Sequence, residues 1–371
     1  MDNINDNKRT MLKALFMLLI SLIAYLCLWP VPIDPVAWQA PVAPGYTGIH
    51  SANTRLRDPQ MISLGAERGP EHIVLDSGGK LYTGVASGHV LRMNPDGSSQ
   101  EVFSDTGGRP LGLAFDANNN LIVADAIKGL LSVSPLGKVS LLADTVEGKP
   151  IRFANAVTIA SNGKIFLTDS STRFSPSNGK GTEEPAMLDV MEQSSTGRVL
   201  EYTPADKAVR VVAKGLSFAN GIALSTDERS LLVSESGNYR VWKISVEANQ
   251  LDVAQPSAEA RVLLDNLPGY PDNLTRSPDG KLWLGLAGQR NDLDNMAQTP
   301  FLRRLLVRIP QILWPQPKPF GHVIAFTEAG DIVTDLQDPS GASPLTTGVT
   351  ETKERLYIHN ANGSGLGWIP K

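Results

Sequence analysis

The chain carries a single cysteine, Cys27, among its 371 residues. No internal disulfide can therefore brace it, whatever the redox state of its compartment. Cys27 also lacks the small residue before it that a lipoprotein site needs. Basic tracts are missing, as is the stacked-aromatic pattern of a nucleic-acid binder, and the net charge is -4 with a pI near 5.8. Nucleic acid is thus not an expected partner. The bias of a disordered chain is equally absent. Hydrophobic residues make up 42% and charged residues 19%, the balance of a globular protein long enough to bury a sizeable core.

What is present begins with one long apolar run. Residues 11–29, "MLKALFMLLISLIAYLCLW", are apolar apart from Lys13 and Ser21, a length that crosses a bilayer as a helix. Lys8, Arg9 and Lys13 come first, so the positive-inside rule leaves residues 1–10 in the cytoplasm and sends the rest across. A cleaved signal peptide would share the basic start and apolar core. The run ends in "WPVPIDP", however, with no small-x-small cleavage site behind it, which favours an uncleaved anchor. The expectation is a single-pass protein of the plasma (inner) membrane, with its C-terminal domain on the non-cytoplasmic side, periplasmic or extracellular. Pro30, Pro32, Pro35, Pro41 and Pro44 make residues 30–47 read as a semi-rigid extended spacer. The folded domain is expected over residues 48–371.

That domain repeats. "HIVLDSGGKLYTGV" (72–85) is echoed at 111–126, 156–171, 221–236, 273–286 and 348–361. Each copy is an apolar strand, a polar turn such as Gly78-Gly79, Asn162-Gly163 or Asp279-Gly280, and a second apolar strand. Further β-like runs follow most hairpins, giving about four strands in 40 or more residues, the pattern of a propeller blade. The sequence predicts an all-β, six-bladed β-propeller behind a transmembrane helix. A β-sandwich would not explain a repeat that keeps its internal order.

Register then singles out a set of residues. Ten residues before the first apolar residue of each second strand stand Glu71, Leu111, Asn155, Asp272 and Thr346, and eleven before it, across a longer turn, stands Asn220. In a propeller the first strand of each blade lines the central channel, so these positions form a ring, with Asn273 beside Asp272. Taken singly, Asn220-Gly221 reads as a turn, Asn155 as a strand-end hydrogen bonder, and Glu71 and Asp272 as rim charges. Taken together they bring two carboxylates and up to three carboxamides to one place, where two buried negative charges need a cation. The ligand atoms are all oxygens, which suits Ca²⁺ and disfavours Zn²⁺, while Mg²⁺ would more often keep several waters.

"LSFANGIALSTDERSLLVSESGNYRVWKI", "LPGYPDNLTRSPDGKLWLGL" and "SSTGRVLEYTPADKAVRVVAKGL" resemble the strictosidine synthase-like family, in particular its membrane-anchored adipocyte plasma membrane-associated branch. The resemblance runs from "GPEHIVLD" (69–76) to the final strand. More distantly the chain is similar to paraoxonases and senescence-marker gluconolactonases, six-bladed propellers with an axial metal. The resemblance implies one Ca²⁺ held by Glu71, Asn155, Asn220 and Asp272 with Asn273.

Departures narrow the activity. Where strictosidine synthases carry a catalytic Glu before the last hairpin, this chain places Thr347, and Glu351 nearby is aimed elsewhere. The paraoxonase histidine pair is replaced at its matching stretch by Leu111, and His72 and Ala156 stand where a second Ca²⁺ would need Asp. His72, beside the ring, reads as a hydrogen-bonded structural residue. The expected function is hydrolysis of a small-molecule ester or lactone, as in an arylesterase or lactonase, with the metal polarising a carbonyl and Asp272 as the general base. A partner-binding propeller without catalysis and a strictosidine synthase-type condensing enzyme are the alternatives. Residues 299–320 interrupt the repeat with Leu302, Leu305, Leu306 and Ile309 at helical spacing and Arg303, Arg304 and Arg308 between them, which predicts a helical lid or a membrane-surface contact.

Overall fold

In the computed structural model, which describes residues 2–177, 181–315, 318–342 and 345–371, each repeat becomes one antiparallel sheet of a six-bladed propeller. Period-two apolar patterning makes the strands, and the turn residues set their ends. Gly79, Gly163 and Gly280 adopt φ of 82°, 84° and 89° in the hairpins, as their turns require. The Asp76 side chain completes the first such turn by accepting the Gly78 and Lys80 amides.

The blades follow chain order. The inner strands are Ile73–Leu75, Pro110–Phe115, Ala154–Ile159, Ala219–Leu224, Gly269–Arg276 and Thr346–Glu351. The sixth sheet takes its outermost strand from the N-terminal side, Gln60–Ser63, paired antiparallel with Gly365–Pro370. The third blade carries an extra parallel strand, Leu251–Asp252. The apolar core is divided among the blade-to-blade faces. Phe166, Val199 and Val212 of the third blade meet Ile222, Leu231 and Trp242 of the fourth, and equivalent clusters fill the other faces, including the closing one, where Tyr357 and Leu366 meet Ile73 and Leu81.

A repeated carboxylate fixes where the inner strands of the second, third and fourth blades begin. Asp125 accepts the Arg109, Ile127 and Lys128 amides, Asp169 those of Arg152 and Phe153, and Glu235 that of Ser217. These acids end the second strands of their hairpins, so one side chain ties the start of a blade to its neighbour strand.

Among the described residues there are also three α-helices: α1 (Asp2–Leu28), α2 (Glu183–Glu192) and α3 (Pro300–Arg308). Residues Asn7–Leu28 of α1 are long and apolar enough to cross a membrane. The helices α2 and α3 are inserted between the second and third strands of the third and fifth blades. Residues 30–47 are not a free spacer. Ile33 is buried with Phe174, Leu188, Met191, Leu293 and Trp314 in one apolar cluster, and the Asp34 and Val36 amides donate to Glu192. The sequence reading missed this because proline content reports backbone stiffness, whereas Ile33 supplies the burial that seats the segment.

Candidate metal centre

Five of the six inner strands share a local irregularity. Register shifts fall between Pro110 and Gly112, Ala154 and Val157, Ala219 and Ile222, Pro271 and Leu274, and Thr346 and Gly348. A bulge re-aims the side chains at its position. Leu111, Asn155, Asn220 and Asp272, at or beside these bulges, line one cavity of about 260 Å³ together with Glu71, which stands just before the first blade's inner strand. Thr346 is buried outside that lining. Asn220-Gly221 is no turn. A Cβ on Gly221 would lie 2.4 Å from both Asp272 O and Leu274 N, so glycine is there to let the fifth blade's inner strand approach.

Hydrogen bonds decide which atom each ring residue presents. Asn155 Nδ2 donates to Ser170 Oγ at 3.0 Å, and that hydroxyl donates to Ala219 O at 2.6 Å. Asn220 Nδ2 donates to Ser236 Oγ at 3.3 Å, and Ser236 donates to Pro271 O at 2.6 Å. With both nitrogens committed outward, the carboxamide oxygens turn to the cavity. Asn155 Oδ1, Asn220 Oδ1 and Asp272 Oδ1 are buried without a hydrogen-bond partner. Three such orphans in one place are costly unless a cation or a hydrogen-bond donor such as water sits among them.

The charges agree. Burial raises the Glu71 carboxyl above its ordinary range, with the Arg109 guanidinium, 3.3 Å away, offsetting only part of that. Burial, and after it the charge of Glu71, raise Asp272 well above the usual carboxylate range. Two carboxylates so placed resist being ionised together until a cation joins them.

Asn273 is used differently. Its Nδ2 donates to the backbone carbonyl of Glu71 at 3.0 Å, the carbonyl to which Thr347 Oγ1 also donates at 2.8 Å. Both side chains are buried and neither lines the cavity. They hold the Glu71 backbone from the fifth and sixth blades. His72 Nδ1 accepts the Leu113 amide at 3.0 Å, and burial lowers its pKa to about 4, so it is a neutral structural residue as the sequence suggests.

The cavity wall is apolar. Phe153 and Phe218 meet edge to face with centroids 5.3 Å apart, and Leu111, Met187 and Val190 continue the wall, the last two from α2. Phe218 has φ 57°, a left-handed conformation that a bulky residue seldom adopts.

With the geometry in hand, comparison with known proteins places the chain. It is 31% identical, over 94% of its length, to adipocyte plasma membrane-associated protein from Rattus norvegicus, of which it covers 96%. The chain belongs to the strictosidine synthase-like family. Strictosidine synthase-like 13 from Arabidopsis thaliana is 34% identical over 74% of the chain and 73% of its own length. Two family patterns of this strictosidine synthase-like protein are matched, strictosidine synthase over residues 155–249 and strictosidine synthase-like, N-terminal, over 48–93. Among solved structures it is similar to a gluconolactonase from Xanthomonas campestris, with a TM-score of 0.59 and 19% identity over 92% of this chain and 96% of that one. The calcium-binding protein regucalcin from Agrobacterium tumefaciens gives 0.56 and 13% over 84% and 93%. At these identities the structures share the fold.

Several residues of this strictosidine synthase-like site escaped the sequence reading. Ser170 and Ser236 stand fifteen and sixteen residues after their asparagines, a spacing that carries the same one-residue turn difference as the hairpins. Phe153 and Phe218 each stand two residues before theirs, in the repeated "FAN". Arg109 has no counterpart signal. A second group, His50, His322 and Asp335, is buried outside the ring and could hold a metal ion, its ligand atoms lying within 4.8 Å of one another. Here Asp335 Oδ2 lies 2.7 Å from His50 Nδ1 and 2.9 Å from His322 Nε2, within direct hydrogen-bonding reach. Burial pushes the Asp335 carboxyl up, but the bonds from His322 and His50 hold it below the usual range.

Proposed function

We propose that this protein is a membrane-anchored, Ca²⁺-dependent hydrolase of esters or lactones. The observation that carries the reading is the convergence of Asn155 Oδ1, Asn220 Oδ1 and Asp272 Oδ1, all buried and unpartnered, with the Glu71 carboxylate under an apolar-walled cavity. An oxygen-only set with two carboxylates suits one Ca²⁺. Glu71, Asn155, Asn220 and Asp272 would hold the ion, and Asn273 would serve through the Glu71 backbone. Such an ion supplies a Lewis acid for a carbonyl oxygen and for the charge that develops on it. Asp272 is the group positioned to take the proton of the attacking water. Leu111, Phe153, Phe218, Met187 and Val190 would hold the apolar part of the substrate and exclude bulk water. The fold shared with a gluconolactonase and with calcium-binding regucalcin supports the same reading. Thr347, committed to the Glu71 carbonyl, offers no acid for a synthase-type condensation. In this reading residues 48–371 form the catalytic domain on the non-cytoplasmic side of the membrane.

The test uses the full chain in lipid nanodiscs. It should bind Ca²⁺, and screening aryl esters and lactones with and without chelator should reveal Ca²⁺-dependent turnover. Asp272→Asn should bind Ca²⁺ more weakly and, at saturating ion, lose about a hundredfold or more in turnover, the usual cost of removing a positioned base. Full turnover by Asp272→Asn with the ion bound would refute the mechanism. An intact protein that binds Ca²⁺ and turns over none of these compounds would favour the partner-binding propeller.

A further inference from the structure

We propose that α3 and the turn after it are a bilayer-docking surface, which seats the capped face of the propeller on the lipid. The argument starts from α1. Its last turn carries Tyr25, whose ring lies 5.6 Å from that of Trp29, the aromatic pairing that marks a membrane–water interface. The end of α3 is tied to that level. Tyr25 Oη donates to Arg308 O at 3.0 Å, and Arg308 Nε donates to Trp29 O at 2.6 Å. The propeller cap therefore begins where the membrane span ends.

The chain does not turn away from the membrane by presenting polar side chains. Ile312 is 85% exposed and Leu313 63%, in the short helical turn Gln311–Leu313 just beyond Arg308, and Phe301 and Leu302 are exposed on α3 itself. Apolar surface left in water is unfavourable in proportion to its area. The opposite side of the segment is firmly seated. Leu306, Val307, Ile309 and Trp314 pack with Met187, Val190 and Met191 of α2, and Arg303 is buried. Exposed Lys318 follows, suited to a phosphate headgroup. A seated inner face, an apolar outer face and a covalent span ending at the same level fit one occupant, the lipid of the bilayer that α1 crosses.

The consequence for the cavity follows from the packing. Its α2 wall, Met187 and Val190, lies directly beneath this cluster, so the cavity lies under the face turned to the lipid.

The experiment labels one side chain at a time with an environment-sensitive nitrobenzoxadiazole dye. In a Cys27→Ser background of the full chain, Ile312→Cys is compared with Leu136→Cys. Leu136 is 95% exposed in a turn joining the two outer strands of the second blade, on the face away from the cap. Both proteins are reconstituted in phosphatidylcholine vesicles with or without nitroxide-labelled phosphatidylcholine. The label at 312 should emit to the blue, be quenched by the lipid nitroxide, and show an iodide quenching constant at least about threefold below that at 136, as for side chains sunk several ångströms into the interface. Iodide access at 312 equal to that at 136 would overturn the proposal. So would a label at 312 shielded from both quenchers with energy transfer between chains, which would mean that a second copy covers the face.

Discussion

Arg303 is the side chain on which the cap hangs, and replacing it should loosen the cap while leaving the propeller intact. It is fully buried, with Nη1 donating to Met191 O of α2 at 2.7 Å and Nη2 to Val36 O of the linker at 2.6 Å and to Ala297 O at 3.2 Å. Its guanidinium also lies 4.6 Å from the centre of the Trp38 ring, and burial lowers its pKa to about 10, so it stays charged at neutral pH. Arg303→Met keeps the apolar stem and removes every donor. The Val36 carbonyl is only partly buried and water can replace its bond, and the Ala297 carbonyl keeps the Trp38 amide at 3.3 Å, whereas that of Met191 is left unsatisfied at about 1–3 kcal/mol and the buried cation–π contact with Trp38, about 1–2 kcal/mol, is lost. Relief of the buried charge returns part of this, leaving about 3 kcal/mol, or roughly a hundredfold in the opening equilibrium of the cap. Hydrogen exchange followed by mass spectrometry measures it. Peptides covering 33–38 and 184–193 should lose about a hundredfold in protection, peptides from the inner strands none, and Arg303→Lys should fall between. Equal loss across the inner strands, or no loss in the cap, would refute the assignment.

Two further outcomes are expected. Asp189 of α2 is fully buried, and neither carboxylate oxygen makes a close hydrogen bond; burial, only partly offset by the Ser171 hydroxyl and helped by Glu192 and Asp169, raises its pKa to about 7. A folded pKa above the unfolded value of 3.8 means that the folded state holds the extra proton in between, so stability falls as pH rises from about 4 to about 7 and stays low above. Asp189→Asn should flatten that fall, by about 3 kcal/mol at most between pH 5 and pH 8, in denaturant unfolding at those two values. Ser170→Ala leaves the Asn155 nitrogen and the Ala219 carbonyl without their partner and frees the carboxamide to turn. Calorimetric Ca²⁺ affinity should drop about 10- to 100-fold, the usual effect of losing a support of a ligand, and an unchanged affinity would mean that Asn155 is not held as described.

Much of this was legible in the sequence because a propeller writes the same hairpin repeatedly. Apolar alternation and the Gly79, Gly163 and Gly280 turns gave the blades, and counting back from Leu81, Ile165, Leu231 and Leu282 reached Glu71, Asn155, Asn220 and Asp272, which share one cavity. Counting could not say which way a side chain faces next to a bulge, so Asn273 was read with Asp272 although its amide binds the Glu71 backbone. Helical spacing found α3, but Arg303, Arg304 and Arg308 look alike in sequence. In the fold Arg303 is buried, Arg304 pairs with Asp34 and Arg308 holds the end of α1. That distinction depends on the linker and on α2, segments with little periodicity of their own.

The closing sheet has a consequence for the order in which the protein can be made. Its outer strand, Gln60–Ser63, is synthesised before the first blade, and its partner, Gly365–Pro370, only after the fifth. Until the sixth blade's inner strand, Thr346–Glu351, is made, the Glu71 carbonyl lacks the Thr347 donor, and until its last strand is made the ring is open. A ribosome therefore delivers the apolar helix before the propeller and the full cluster of ring oxygens only with the fifth blade, and a chain that loses the sixth blade's inner strand loses one of the two donors that hold the Glu71 backbone, not merely one edge of a sheet. Such long-range closure makes the last step of folding slow, and an early Gln60–Ser63 must wait unpaired while five blades form.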